Sequence, residues 1–272
     1  MDFQLKKCIV ADHRLQAGVI SKQLQYPHLL TCTLLDLPML EEEMNRQGEE
    51  KVVAYCLAGE EVDRVGKFTF PKRKREWLGG RFAAKYAAAG LAERAGSGEK
   101  PPHWSEYIIT TDENGRPFLA GDKGESTKPV PDISISHSES MAAAMAVYPG
   151  YCGIDIQKIT PQVLRVRERF CIDGEKQLLD KFFPVGPDRE AVVLAKLWAA
   201  KEALRKASCL SSLPGFMELQ LIEININSES DFSVFVFSWL NPARGAPGQI
   251  RAAVTLSGDY ALALTVRDDT VR

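Results

Sequence analysis

Lys196-Leu-Trp198-Ala-Ala-Lys201-Glu202-Ala-Leu-Arg205-Lys206 decides how this chain is read. Nearly every residue in it is a strong helix former. On a helix, Trp198, Glu202 and Lys206 fall at i, i+4 and i+8 and share one face. A carboxylate and a cation are then presented side by side, one turn after an indole. Taken alone, Glu202 and Lys206 make an exposed ion pair worth about 0.2–0.5 kcal/mol. Upstream, Cys152-Gly153-Ile154-Asp155-Ile156 is an apolar run broken by one aspartate. That pattern predicts a strand entering the interior with a charge that needs a cation or a metal. Asp155 and Glu202 together can offer two hard oxygen ligands to magnesium, which takes a few carboxylates alongside phosphate oxygens.

Working outward, Phe68–Leu91 opens with a proline and the basic run Lys72-Arg-Lys-Arg75, then continues as an alanine-rich helix. Cations disfavour the positive end of a helix, so four of them there ask for an anion. Arg81 and Lys85, at i and i+4, are spaced to grip it from one side. A breaker-rich loop at 96–102 follows, then a hairpin predicted around Asp112-Glu-Asn-Gly115 and a polar loop at 121–129. Asp132–Ser138 alternates with period two and ends in Ser136-His137-Ser138, leading to a strand over Met141–Val147. Serine beside histidine raises a hydrolase triad, but the chain has no Gly-x-Ser-x-Gly elbow. Helices are expected over Thr160–Phe170, Gly174–Phe183 and Pro187–Ser208, and antiparallel strands over Met217–Asn227, Phe232–Leu240, Gln249–Leu256 and Tyr260–Val266. In residues 1–60, FQLKKCIV and KVVAYCLA read as strands around a helical, acidic segment at Leu40–Arg46.

Two segments repeat. Trp77 and Lys85 bracket one helix as Trp198 and Lys206 bracket another, at an offset of 121. Ser138–Val147 echoes Ser257–Val266 at an offset of 119. Two matches in one order at nearly one offset favour a duplication. The expected fold is α+β, a pseudo-twofold pair of similar α/β halves, residues 1–148 and 149–272, with the active site in the cleft between them.

Gly153-Ile-Asp155-Ile followed by Trp198-Ala-Ala-Lys201-Glu202-Ala-Leu-Arg-Lys206 resembles the two-part signature of the 4'-phosphopantetheinyl transferases. The chain length resembles that of their surfactin-type, single-chain branch. The resemblance implies two related α+β halves that move the phosphopantetheine arm of coenzyme A onto a serine of an apo acyl or peptidyl carrier protein. It also implies a magnesium ion held by Asp155 and Glu202. Gly80-Arg81-Phe-Ala-Ala-Lys85 is similar to a family helix that holds coenzyme A phosphates, with Arg75 beside it. Ser136-His137-Ser138 resembles the family's Leu-Ser-His-Ser, whose histidine contacts a coenzyme A phosphate. Gly115-Arg-Pro-Phe118 is similar to the family's Gly-Lys-Pro-Tyr. On this pattern His137, Lys201 and Lys206 neutralise phosphate oxygens and the leaving 3',5'-ADP, and Glu202 accepts the serine proton, directly or through a metal-bound water. The family often has Asp-x-Glu. Here the second position is Gln157, whose amide can ligate magnesium without adding charge, so a weaker metal site is expected.

Composition sets the remaining bounds. A net charge of -2 carries no global field for nucleic acid or membrane, so any anion site is local. The basic run at Lys72–Arg75 is isolated and has no nucleic-acid recognition module beside it. Six cysteines without a Cys-x-x-Cys pair, several in apolar runs, suit a reducing compartment. No stretch of eighteen apolar residues occurs. A cytoplasmic monomer is expected. The alternative from another class is a catalytically weak coenzyme A or carrier-protein binding module.

Overall fold

Two runs, 141–147 and 260–264, are apolar or small at every position, as strands buried on both faces must be. In the computed structural model each becomes an inner strand of its own antiparallel sheet. The structure describes residues 4–12, 17–95, 103–120, 130–183, 186–208, 213–226, 230–240 and 248–268. The loops expected at 96–102 and 121–129 lie outside these. The chain forms two units, Met1–Ala17 with His28–Pro149, and Gly18–Pro27 with Gly150–Arg272. Residues 18–27, assigned above to the first half, therefore group with the second.

The first unit contains β1 (Ile9–Asp12), the start of α1 (Ala17–Leu24), β2 (Leu29–Asp36), α2 (Leu37–Gln47), α3 (Glu49–Cys56), α4 (Glu60–Val65) and α5 (Pro71–Arg94). The ribbon β3 (Ile109–Thr111) and β4 (Pro117–Leu119) follows, then the hairpin β5 (Asp132–Ser138) and β6 (Met141–Tyr148). The sheet order is β1-β2-β6-β5, and α5 packs on β6, β2 and β5. Asp36 caps α2 by accepting from Met39 N at 2.7 Å. The β3–β4 turn forms where Asp112-Glu-Asn-Gly115 predicts it. Asp112 Oδ1 accepts from Asn114 N and Arg116 N, and Gly115 takes a φ of +79°.

The second unit runs β7 (Tyr151–Lys158), α6 (Gln162–Arg165), α7 (Asp173–Phe182), α8 (Pro187–Ala207), β8 (Leu219–Ile226), β9 (Ser233–Trp239), β10 (Gln249–Ser257) and β11 (Tyr260–Arg267). Its sheet order is β7-β11-β10-β9-β8, covered by α8. Each unit has its own apolar core, around Phe82 and Leu78 in one and Phe235 and Phe237 in the other.

Three expectations are corrected. KVVAYCLA is helical through Cys56 rather than a strand, because Glu49 and Glu50 supply an acidic first turn that suits a helix N-terminus. In FQLKKCIV, Gln4–Cys8 form a 3-10 turn and the chain is extended from Ile9. Thr160–Phe170 holds only the single turn of α6 and a 3-10 turn over Arg167–Arg169.

Candidate active site

Close packing of α8 on β7 assembles the site. The inner face of α8 is lined by alanines, among them Ala199, Ala200 and Ala203, all fully buried. Opposite them, a Cβ added to Gly153 would meet the Ala203 carbonyl oxygen at 1.9 Å. Only glycine permits that approach. Two residues along β7, Asp155 is thereby brought under the end of α8. It is 7% exposed, and its Oδ1 accepts from Lys206 Nζ at 2.8 Å. Lys206 Nζ also donates to the Ile154 carbonyl at 2.9 Å. Glu202, one turn earlier, accepts at Oε1 from Arg205 Nη1 at 2.7 Å. Burial pushes the Glu202 carboxyl above its ordinary range; Arg205 opposes the rise, Asp155 adds to it and Lys206 opposes it.

Lys201 and Lys85 are corrected. Both were expected at phosphate oxygens, and both are 0% exposed. Lys201 Nζ donates to the Phe170 carbonyl at 2.7 Å, the Phe216 carbonyl at 3.1 Å and Glu175 Oε2 at 2.9 Å. Lys85 Nζ donates to the Cys56 carbonyl at 2.7 Å and Glu61 Oε2 at 2.5 Å. Each ammonium is spent inside the fold, and burial lowers the pKa of both while the glutamate partners oppose it. Arg81 is also turned inward, 4.8 Å from the Trp77 ring centroid with its Nε 3.7 Å from Glu61. Arg75 is paired with Glu41. The basic run is balanced by acidic neighbours rather than open as a block, since Lys74 pairs with Glu49 and Arg73 lies 3.4 Å from Glu76.

Glu61 and Glu175 carry these clamps, and sequence reading missed them. Glu175 Oε1 accepts from Leu221 N at 2.8 Å, and Glu61 Oε1 accepts from Ile109 N at 3.4 Å. The one available signal was Glu175 three residues after Ile172, whose N–H it accepts at 3.0 Å.

In the first unit, the strand end at His137 comes to the start of α5. Buried Glu76 has Arg73, Lys72 and His137 Nδ1 around it, the last at 3.8 Å. Ser136 is buried beside it on β5. Separately, a cleft of about 400 Å³ is lined by Arg64, Lys67, Trp77, Arg81 and Thr110 along with acidic residues of α4. Arg64 and Lys67 are cations that the sequence reading passed over.

Asp155 and Glu202 fit a hard divalent ion as a donor set, two carboxylates near enough for one charge to act on the other. Among the described residues no three acidic, histidine or cysteine side chains gather as a metal cage. Water and substrate oxygens would therefore complete the shell. Gln157 shares the strand face of Asp155 by alternation, and its Nε2 donates to the Lys158 carbonyl at 3.1 Å. That leaves its amide oxygen as the group able to face a cation.

Residues 151–265, almost the whole of the second unit, match the model of the 4'-phosphopantetheinyl transferase superfamily. A holo-[acyl-carrier-protein] synthase from Geobacillus sp. is 34% identical over 115 residues, which are 42% of this chain and 89% of that one. The 4'-phosphopantetheinyl transferase HetI from Nostoc sp. is 26% identical over 175 residues, 63% of this chain. The match spans 66% of HetI, just under two thirds of its length. A crystal structure of a Bacillus anthracis holo-(acyl-carrier-protein) synthase in complex with coenzyme A (3',5'-ADP) aligns at 26% identity and a TM-score of 0.36. The alignment covers 43% of this chain and 92% of that one.

Proposed function

The chain belongs to the 4'-phosphopantetheinyl transferase superfamily, and from that premise we propose that it transfers phosphopantetheine from coenzyme A to a serine of an apo carrier protein, with magnesium at Asp155 and Glu202. The observation that carries the reading is the pairing of Asp155 with Lys206 at 2.8 Å, beside Glu202, at the Gly153–Ala203 contact. In the reaction the serine oxygen forms a bond to the pantetheine-bearing phosphorus as the bond from that phosphorus to 3',5'-ADP breaks. Magnesium would supply charge neutralisation at the pyrophosphate. Glu202 accepts the serine proton. Lys206 exchanges Asp155 for a phosphate oxygen. It is the cation suited to this, since its side chain is 27% exposed while Lys201 is sealed in.

Within the first unit, the exposed cations able to meet an anion include His137, with Lys72 and Arg73 beside it, and Arg64 and Lys67 of the α4 cleft, whereas Lys85 is sealed in. We also infer that the chain arose by duplication. The clamp contacts support this, in a register other than that of the tryptophan match. In that register Lys85 is set against Lys201, at an offset of 116, rather than against Lys206 at 121.

The test is to incubate the protein with coenzyme A, magnesium and an apo carrier, then weigh the carrier. A gain of one phosphopantetheine is expected. Binding of coenzyme A with no gain for any acyl or peptidyl carrier would leave a binding module instead.

A further inference from the structure

Arg205 is held on three sides. Its Nη1 donates to Glu202 Oε1 at 2.7 Å, its Nε donates to the Pro214 carbonyl at 2.8 Å, and its guanidinium lies 4.5 Å from the Phe216 ring centroid. The pair it makes is shielded, with Glu202 21% and Arg205 22% exposed. Asp155 meanwhile holds Lys206. Two carboxylates thus face two resident cations, and Gln157 adds no charge. The four charges sum to zero where a metal site would ordinarily be negative.

We propose that Arg205 is a positioning residue, a built-in counter-ion against which any divalent cation must compete for Glu202. This rests on the reading of Asp155 and Glu202 as the metal site. A carboxylate has two oxygens, so an arginine on one of them could instead merely orient the other toward an ion. The charge decides against that. Whichever oxygen an ion takes, the guanidinium stays one hydrogen bond from the carboxylate, and in a partly buried site their repulsion is weakly screened. Nor can the guanidinium swing aside cheaply, because its planar fork is committed to Pro214 and Phe216 as well. The expected consequence is a metal affinity below that of the same two carboxylates without the arginine. Coordination by pyrophosphate oxygens would then be needed to load the site.

The test is an electron paramagnetic resonance titration with Mn²⁺, a hard ion standing in for magnesium, on the protein without carrier. It is done with and without coenzyme A, and thermal unfolding checks each variant's fold. R205L should bind Mn²⁺ about tenfold more tightly than wild type, the scale expected from deleting one nearby, partly buried charge. R205K keeps the charge and should stay near wild type, and E202Q should bind most weakly. R205Q carries the same expectation as R205L should the leucine variant fail to fold. A purely structural role would leave affinity unchanged or weaken it. If E202Q weakens binding while R205L and R205Q fail to tighten it, the counter-ion role is overturned and the metal site stands. If D155A and E202Q bind as wild type does, or no variant binds Mn²⁺ even with coenzyme A, the metal site itself is overturned.

Discussion

The two units carry the same clamp and differ one layer away from it. In each, a fully buried lysine of the long helix holds a glutamate from an earlier helix, and that glutamate accepts an N–H from the strand that follows. Aligning α5 and α8 on Lys85 and Lys201 sets Tyr86 against Glu202, Ala89 against Arg205 and Gly90 against Lys206. Aligning the hairpins at Met141 and Tyr260 sets Thr33, which pairs with Ala144, against Asp155, which pairs with Ala263. The two alignments agree. Thr31 Oγ1 donates to the Ala87 carbonyl at 2.7 Å, and Gly153 at the same register abuts the Ala203 carbonyl. Every charge of the second unit's site is thus matched by a neutral residue in the first, where the Thr33 hydroxyl is buried without a partner. The lysine–glutamate clamp holds the fold in both units, and the charges beside it, which only the second unit has, are the ones we propose for transfer.

Breaking the clamp should have the largest effect on stability. K85M and K201M each strand a buried glutamate and should lower the unfolding free energy by about 3–5 kcal/mol in chemical denaturation. K206M leaves a buried aspartate but removes a lysine that was itself partly exposed, and should cost less, about 1–3 kcal/mol. Equal losses for K201M and K206M would erase the distinction between the two layers.

Gly153→Ala comes next. Its Cβ would force α8 away from β7, with an expected cost of about 1–3 kcal/mol and a loss of transfer that exceeds the loss of fold. The matched change, Thr31→Ala, deletes one buried hydrogen bond, about 1 kcal/mol, and should leave transfer near wild type. Comparable losses of transfer in both would mean that Gly153 does not set the site.

The smallest effect is the titration of Glu202. In metal-free protein its carboxyl carbon, followed by NMR, should titrate above the ordinary 4.5, because burial outweighs Arg205 and Lys206. The fold then holds more protons than the unfolded chain between 4.5 and the folded value, so stability falls as pH rises through that window. A midpoint at or below 4.5 would show the two cations winning over burial.

The helix carrying Glu202 and Lys206 was legible because its motif is local, as was the Asp112–Gly115 turn. Both helices that bear the clamps were also found. The direction in which Lys85, Arg81 and Lys201 point was not, because it depends on Glu61 and Glu175. These lie 24 and 26 residues from their lysines, on short helices whose own patterns do not show which distant lysine they will meet. A lysine in a helix normally reads as solvent-facing, and nothing local marks one whose partner arrives from elsewhere. Likewise β2, LLTCTLLD, is buried along both faces and so has no period to read.

The central claim is that Glu202 serves the chemistry of transfer while Lys201 beside it serves the fold. The most direct measurement is a single-turnover assay of E202Q against wild type, weighing an apo carrier after mixing with coenzyme A and magnesium. Coenzyme A binding and unfolding are measured on the same samples. Wild type should add one phosphopantetheine, and E202Q should stay folded, bind coenzyme A and add none. Transfer by E202Q at the wild-type rate would contradict the account.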